Sequence, residues 1–258
     1  MINESCRVLR HEDIGAGYRI IEFNAPQIAA SAVPGQFVHV KVPGLEESAL
    51  RRPFSIFNAD GDVLSLMYKT VGRGTSTLSK VSEGDIVEVM GALGHGFPVK
   101  CGGAALLVGG GFGVAPLYFL SRRLRENGVG DIRLFVGGRT KSDLLELPRF
   151  EKLGVAVYAT TNDGSFGENG LVTVPLDRHI QELRKAGGAF EMFACGPDGM
   201  LKAVATRAVE IKAPGWISMD RHMICGVGAC YACIQKTVRG NSRCCIEGPV
   251  FRAEDLVW

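Results

Sequence analysis

The chain has 258 residues, 46% hydrophobic and 22% charged, with 29 Lys and Arg against 27 Asp and Glu for a net charge of +2. At ~100–200 residues per domain this length suits two domains with real cores, and the composition excludes disordered, collagenous and disulfide-dense classes. So small a basic surplus argues against a protein that grips nucleic acid or a membrane surface. Two counts stand out: 34 glycines, and 8 cysteines of which Cys225, Cys230, Cys233, Cys244 and Cys245 crowd near the end.

The opening MINESCRVLRHEDIG carries charges and no apolar run, unlike a secretory leader. A cytoplasmic protein is expected, its cysteines thiols or metal ligands and not a disulfide framework. To about residue 100 the texture is strand-like. Tyr18–Phe23, Gln36–Val42, Val63–Lys69 and Asp85–Val89 alternate apolar with polar side chains, punctuated by Pro34-Gly35, Asn58–Gly61 and Glu83–Asp85. Several short strands with regular turn signals predict an all-β barrel or sandwich. Within it, Arg52-Pro53-Phe54-Ser55 sets a guanidinium, an aromatic and a hydroxyl on one extended segment, suited to a phosphate and a flat ring. Gly72–Ser76 is a glycine turn whose N–H groups and hydroxyls suit phosphate. Taken alone, each also fits an ordinary strand or turn.

From Cys101 to Ser121 no charge appears, long enough to raise a membrane span, but glycines and Pro116 break it up. A buried strand at Ala104–Val108, a glycine loop at Gly109–Pro116 and a helix from about Ala115 to Asn127 are predicted instead. Strands at Ile132–Val136, Val155–Ala159 and Phe190–Ala194 alternate with helices near Lys141–Leu153 and Asp198–Ile211. That alternation predicts a doubly wound parallel sheet over residues 101–214. The loop bearing Gly109, Gly110, Gly111 and Gly113 follows a strand and opens a helix, the setting in which backbone approaches a pyrophosphate. Cys195-Gly196-Pro197 ends a strand at the same sheet edge. Arg139 reads either as a partner for a 2′-phosphate or as a solvated loop charge.

The last stretch, 215–258, holds C-x4-C-x2-C at Cys225, Cys230 and Cys233, with Cys244 and Cys245 beyond it. This is the plant-type [2Fe–2S] spacing: three thiolates on one tight loop and a fourth from a separate segment. A structural zinc site is the alternative and prefers two short knuckles. Spacing alone does not choose between Cys244 and Cys245. Gly226 and Gly228 let the loop backbone approach the cluster. Cys6, Cys101 and Cys195 read as small buried hydrophobes.

In order along the chain, RPFS, YKTVGRGT, EGDIVEVMGALGHGF, GGGFGVAP, ACGP and CGVGACYAC followed by CIEGPVF resemble the ferredoxin-reductase-like flavoproteins. Within them the match is to the electron-transfer subunits of type B dihydroorotate dehydrogenase, from Pro34–Val38 to Gly248–Phe251. The resemblance implies an FAD-binding antiparallel β-barrel over 1–100, an NAD-binding α/β domain over 101–214 and a [2Fe–2S] subdomain over 215–258. By position, Arg52, Pro53, Phe54 and Ser55 would line the flavin with Ser55 at its reactive edge, Met67, Tyr68 and Lys69 would form a second flavin segment, and Gly74 with Thr75 would bind pyrophosphate. Gly109 to Pro116 and Cys195-Gly196-Pro197 would frame the nicotinamide, making Ser55 and Cys195 the candidate catalytic residues. The family's last cysteine stands three before the glycine of GPVF, which selects Cys245 as the fourth ligand beside Cys225, Cys230 and Cys233. Phe54, where an aliphatic residue is common, and the Cys244-Cys245 doublet depart from the pattern.

The implied partner is an FMN-containing catalytic subunit that oxidises dihydroorotate, in a heterotetramer of two of each chain, with NAD+ as final acceptor. Two other readings stay open. One is a subunit of a related NAD(P)H-dependent ferredoxin, sulfide, sulfite or hydrogenase complex. The other is a zinc-stabilised nucleotide-binding module without redox role, which would lack flavin absorbance, iron and acid-labile sulfide.

Overall fold

The computed structural model describes residues 1–45 and 50–258. The first half forms a closed barrel of β1 (Ile2–Gly15), β2 (Tyr18–Asn24), β3 (Phe37–Lys41), β4 (Arg52–Asp60), β5 (Val63–Lys69) and β6 (Ile86–Leu93) in the order β1-β2-β5-β4-β3-β6. Every pairing is antiparallel. Alternation puts Val87 and Val89 of β6, Cys6 and Val8 of β1, and Ile21 and Phe23 of β2 inside. Helix α1 (Pro26–Ser31) plugs the barrel with Ile28 and Ala29, and Leu78 of α2 (Arg73–Leu78) joins the same core. The barrel alternative is therefore the one realised. Closure leaves no long edge unpaired.

The second half is a seven-stranded sheet. It comprises β7 (Ala104–Gly110), β8 (Ile132–Gly138), β9 (Ala156–Thr161), β10 (Glu168–Asn169), β11 (Phe190–Cys195), β12 (Gly215–Ser218) and β15 (Val250–Arg252), in the order β10-β9-β8-β7-β11-β12-β15. All pairs are parallel except β12 with β15. β7 shows why its run is wholly apolar: Leu106 and Val108 enter one core, Ala105 and Leu107 the other. Helices α3 (Ala115–Glu126) and α4 (Leu147–Lys152) cover one face through Leu117, Leu120, Leu124 and Phe150. On the other face α5 (Thr173–Lys185) and α6 (Asp198–Glu210) bury Leu176, Ile180, Leu201 and Val204. The strand order reverses between β7 and β11, so the crevice where such sheets take ligands lies at Gly109–Gly113 and Cys195–Pro197.

The uncharged stretch 101–121 is β7, a 3-10 turn at Gly111–Val114 and the start of α3. Among the described residues no helix is long and apolar enough to cross a membrane. The helix expected near Lys141–Leu153 is instead a 3-10 turn at Lys141–Asp143 followed by the short α4. Pro148 fits only the first turn, and Glu146 just before it turns left-handed at φ 55°. α5 and β1 were not foreseen from the pattern.

The end of the chain is stitched to both halves. β12 and β15 extend the sheet, and between them β13 (Ile234–Thr237) and β14 (Gly240–Arg243) form a hairpin. His95 N donates to Gly248 O at 2.6 Å, tying the barrel to the tail. Phe119 of α3 reaches the barrel core, and Tyr118 stacks on Phe57 at 4.8 Å. These contacts fix the barrel, sheet and cysteine loop relative to one another.

Candidate functional site

Two clefts open where barrel and sheet meet. The larger, about 590 Å³, lies over the C-terminal ends of β7, β8, β9 and β11, with Gly110, Gly111, Gly113, Arg139, Asn162 and Cys195 among its walls. The smaller, about 240 Å³, faces the barrel and is lined by Phe37, Pro53, Phe54, Ser55, Met67, Tyr68, Lys69 and Thr75. Its far wall is Ser218–Arg221 and Met223, the segment that leads into the cysteine loop. Lys69, Phe112, Gly113, Cys195 and Asp220 line both clefts, so the two meet at one shared wall.

Gly113 makes that wall possible. A Cβ there would stand 2.4 Å from the Cys195 carbonyl oxygen, so only glycine lets the loop close on the end of β11. Burial pushes the Cys195 thiol up to about 12, against a hydrogen bond with Ser218, so it stays a neutral thiol and not a nucleophilic thiolate. Phe54 meets Tyr68 edge-on at 5.6 Å. The Tyr68 hydroxyl is held by His11 Nε2 at 2.9 Å, whose Nδ1 reaches Val81 O at 2.7 Å. Burial raises the Tyr68 pKa, so it too stays protonated. Apolar walls with Ser55, Lys69 and Thr75 at the rim fit a flat ring with a polar edge.

Arg52, Gly74 and Gly109 stand outside both linings. Arg52 lies on Gly74, its Nε 2.7 Å from where a Gly74 Cβ would be, and its Nη1 donates to Leu50 O at 2.6 Å. Gly109 sits behind the loop against Val114 and Leu117. Thr75 Oγ1 accepts from the N–H groups of Val71 and Gly72 at 2.9 and 3.1 Å. Arg139 is 83% exposed and pairs with Asp143 at 3.7 Å.

Sequence reasoning missed Asp220. It follows β12 at the sheet's C-terminal edge, the one signal that could have found it. Its carboxyl lines both clefts, and the protein crowding it raises its pKa from the ordinary aspartate value against the pull of Arg221. Arg221 itself bonds Asp198 at 2.9 Å and Gln235 at 2.9 Å.

In the cysteine loop the thiols stand in pairs, Cys225 with Cys230 and Cys233 with Cys245. The N–H groups of Val227 and Cys245 point at the sulfurs of Cys225 and Cys233, each at 3.5 Å. Burial would raise Cys225, but N–H donors from Val227, Cys230 and Ala229 outweigh it and bring the thiol down to about 6. Cys244 and Cys245 are both buried and pushed up to about 12, chiefly by that burial. Cys245 also takes the Gly228 N–H from the loop. Among the described residues no three His, Cys, Asp or Glu side chains converge tightly enough for a single ion. Paired thiols with N–H groups aimed at sulfur fit a two-iron cluster. Cys230 and Tyr231 at the loop tip are exposed, flanked by Ile224, Val227 and Ile246.

Comparison with known proteins agrees with this geometry. Residues 220–257 match the iron–sulfur cluster binding domain of dihydroorotate dehydrogenase B, and residues 107–206 match an oxidoreductase NAD-binding domain. The dihydroorotate dehydrogenase B (NAD(+)) electron transfer subunit of Desulforamulus reducens is 39% identical over 92% of both chains. That of Bacillus mycoides is 43% identical over 87% of this chain and 86% of its own. The chain belongs to this family of electron transfer subunits. Its fold is also similar, at TM-score 0.85 and 29% identity over 98% of this chain and 90% of the other, to a chain of an NADH-dependent reduced ferredoxin–NADP oxidoreductase studied for flavin-based electron bifurcation. Iron–sulfur, NAD and flavin cofactors thus follow from the matched domains and the reductase fold.

Proposed function

We propose that this chain relays electrons from an FMN-containing catalytic subunit, which oxidises dihydroorotate, to NAD+ in pyrimidine biosynthesis. One observation carries the reading: nucleotide cleft, barrel cleft and cysteine loop adjoin in that order, with Asp220 on the first wall and Met223 on the second. When bound, a [2Fe–2S] cluster and FAD supply single-electron transfer and the gathering of electron pairs, and NAD+ accepts hydride.

The residues divide the work. Cys225, Cys230, Cys233 and Cys245 are the ligand set; Cys245 is preferred to Cys244 because it pairs with Cys233 and takes the Gly228 N–H. Pro53, Phe54, Met67 and Tyr68 hold the flavin ring, with Lys69 and Ser55 at its rim, while Arg52, Gly74 and Thr75 serve its pyrophosphate. Gly110, Gly111 and Gly113 admit the nucleotide, with Gly109 shaping the loop from behind. Ser55 would stand on the flavin side and the neutral Cys195 on the wall that the two clefts share. Electrons that arrive singly bring no proton, and a hydride needs one. Asp220, on the shared wall with a raised pKa, is placed to hold that proton on its carboxyl oxygen.

Apolar Ile224, Val227, Tyr231 and Ile246 around the exposed Cys230 form the face on which the catalytic subunit docks. The assembly expected is two of each chain, in the cytoplasm, where such thiols stay reduced. The test is anaerobic purification with the catalytic subunit. FAD, iron and acid-labile sulfide with dihydroorotate-dependent NAD+ reduction are expected; zinc in place of iron, or a partner that oxidises something else, overturns the reading.

A further inference from the structure

One titratable side chain behind the barrel cleft is unused by this scheme. His11 lies on β1, in the polar run Arg10-His11-Glu12-Asp13, and is half-buried. Both of its ring nitrogens are engaged: Nδ1 stands 2.7 Å from Val81 O and Nε2 stands 2.9 Å from the Tyr68 hydroxyl. A carbonyl oxygen only accepts, so Nδ1 carries the proton. Burial lowers the His11 pKa from 6.5, which keeps the ring neutral at physiological pH. Nε2 is then a bare acceptor, and the Tyr68 hydroxyl donates to it. The direction of both bonds is thereby fixed.

The three residues come from separate elements. β1 and β5 are not neighbours in the barrel; β2 lies between them, and Tyr68 pairs with Arg19 of β2. Val81 follows α2, its N–H bonded to Leu78 O at 3.0 Å. Tyr68 is 3% exposed and lines the barrel cleft, as does Thr75 of α2. Tyr68 in turn meets Phe54 edge-on at 5.6 Å, and Phe54 lines the same cleft. His11 does not line the cleft, so it acts through Tyr68. A bond at the far end of an aromatic ring fixes its tilt, and the tilt sets the surface that a flat ligand meets.

We propose that His11 is a positioning residue for the flavin: accepting from the Tyr68 hydroxyl and donating to Val81 O, it holds the Tyr68 ring as a wall of the barrel cleft and ties that wall to the segment after α2. The role rests on the flavin assignment proposed above and adds to it a residue that shapes the cleft from outside.

The test uses the full chain, purified anaerobically, as His11→Leu, His11→Gln, Tyr68→Phe and the double variant of His11→Leu with Tyr68→Phe. FAD content of the parent is measured first; its absence overturns the flavin reading and this proposal together. With FAD bound to the parent, His11→Leu is expected to weaken FAD binding by about tenfold, since it leaves the Tyr68 hydroxyl without its acceptor, and to shift the visible flavin band. His11→Gln, whose amide can accept from Tyr68 and donate to Val81 O, is expected to recover most of both. Tyr68→Phe is expected to show a similar loss, and the double variant no more than either alone, because each change removes the same bond. Lost packing alone would lower unfolding midpoints without this shared loss of affinity and band position. Unchanged FAD affinity and band in His11→Leu, or losses that add in the double variant, overturn the proposal. Should His11→Leu fail to fold, Tyr68→Phe, which removes only the hydroxyl, decides: the same loss is expected, and unchanged affinity and band overturn the proposal.

Discussion

At the scale of single residues, two titratable groups near the clefts, the buried His39 and the exposed Asp220, shift in opposite directions. The pKa of His39 falls from 6.5 to about 4 in the folded chain, so between those values the unfolded chain binds a proton that the native one refuses. Stability is therefore full above pH 6.5 and declines as pH falls toward 4, by up to about 3 kcal/mol. His39→Gln is expected to flatten that decline in urea midpoints measured across the window. Asp220 is raised, so its native carboxyl holds a proton the unfolded chain has already lost, and its contribution to stability weakens as pH rises. Its proposed role gives a sharper test than stability. Asp220→Asn is expected to slow dihydroorotate-driven NAD+ reduction by ~10²-fold or more. Hydride transfer from NADH into the flavin, which brings its own proton, is expected to be nearly unchanged in stopped-flow. Equal losses in both directions would mean Asp220 only shapes the cleft.

At the scale of elements, what the pattern revealed depended on how much of each strand or helix is buried. β7, buried on both faces, was legible as an unbroken apolar run from Ala104. β1 was not: beyond Cys6 and Val8 it carries Arg10, His11, Glu12 and Asp13, and it is held by pairing with β2 and β6 more than by burial. α5 buries Leu176 and Ile180 at helical spacing, but Pro175 in its first turn reads as a breaker. The site divides in the same way. The cysteine motif and glycine loop are local and were legible; Asp220 matters only because the end of β12 converges on segments far away in sequence. The loop's closure on β11 is testable as an element. Gly113→Ala must move the loop away from Cys195 O and is expected to cost about 1–3 kcal/mol. A raised KM for NAD+ with unchanged flavin content would accompany it; an unaltered KM would argue that the loop does not shape the nucleotide cleft.

At the scale of the whole molecule, the cysteine loop stands at the end of a chain of adjoining sites and presents its tip outward. The barrel, the sheet and the tail share cores, with Phe37 and Leu93 packed in the same cluster as Cys233, Cys244 and Cys245. Distances along the relay are thereby set by packing and not by a flexible linker. Tyr231→Glu, at the exposed tip, is expected to weaken association with the catalytic subunit by about 2 kcal/mol, read by sedimentation, while flavin and iron stay bound. The relay itself is tested most directly through Cys230, the exposed thiol whose loss disturbs the core least. In the Cys230→Ala complex, dihydroorotate-driven NAD+ reduction is expected to fall to background while FAD remains bound and NADH still reduces it. Full dihydroorotate-driven turnover in that complex would contradict electron passage through the cysteine loop.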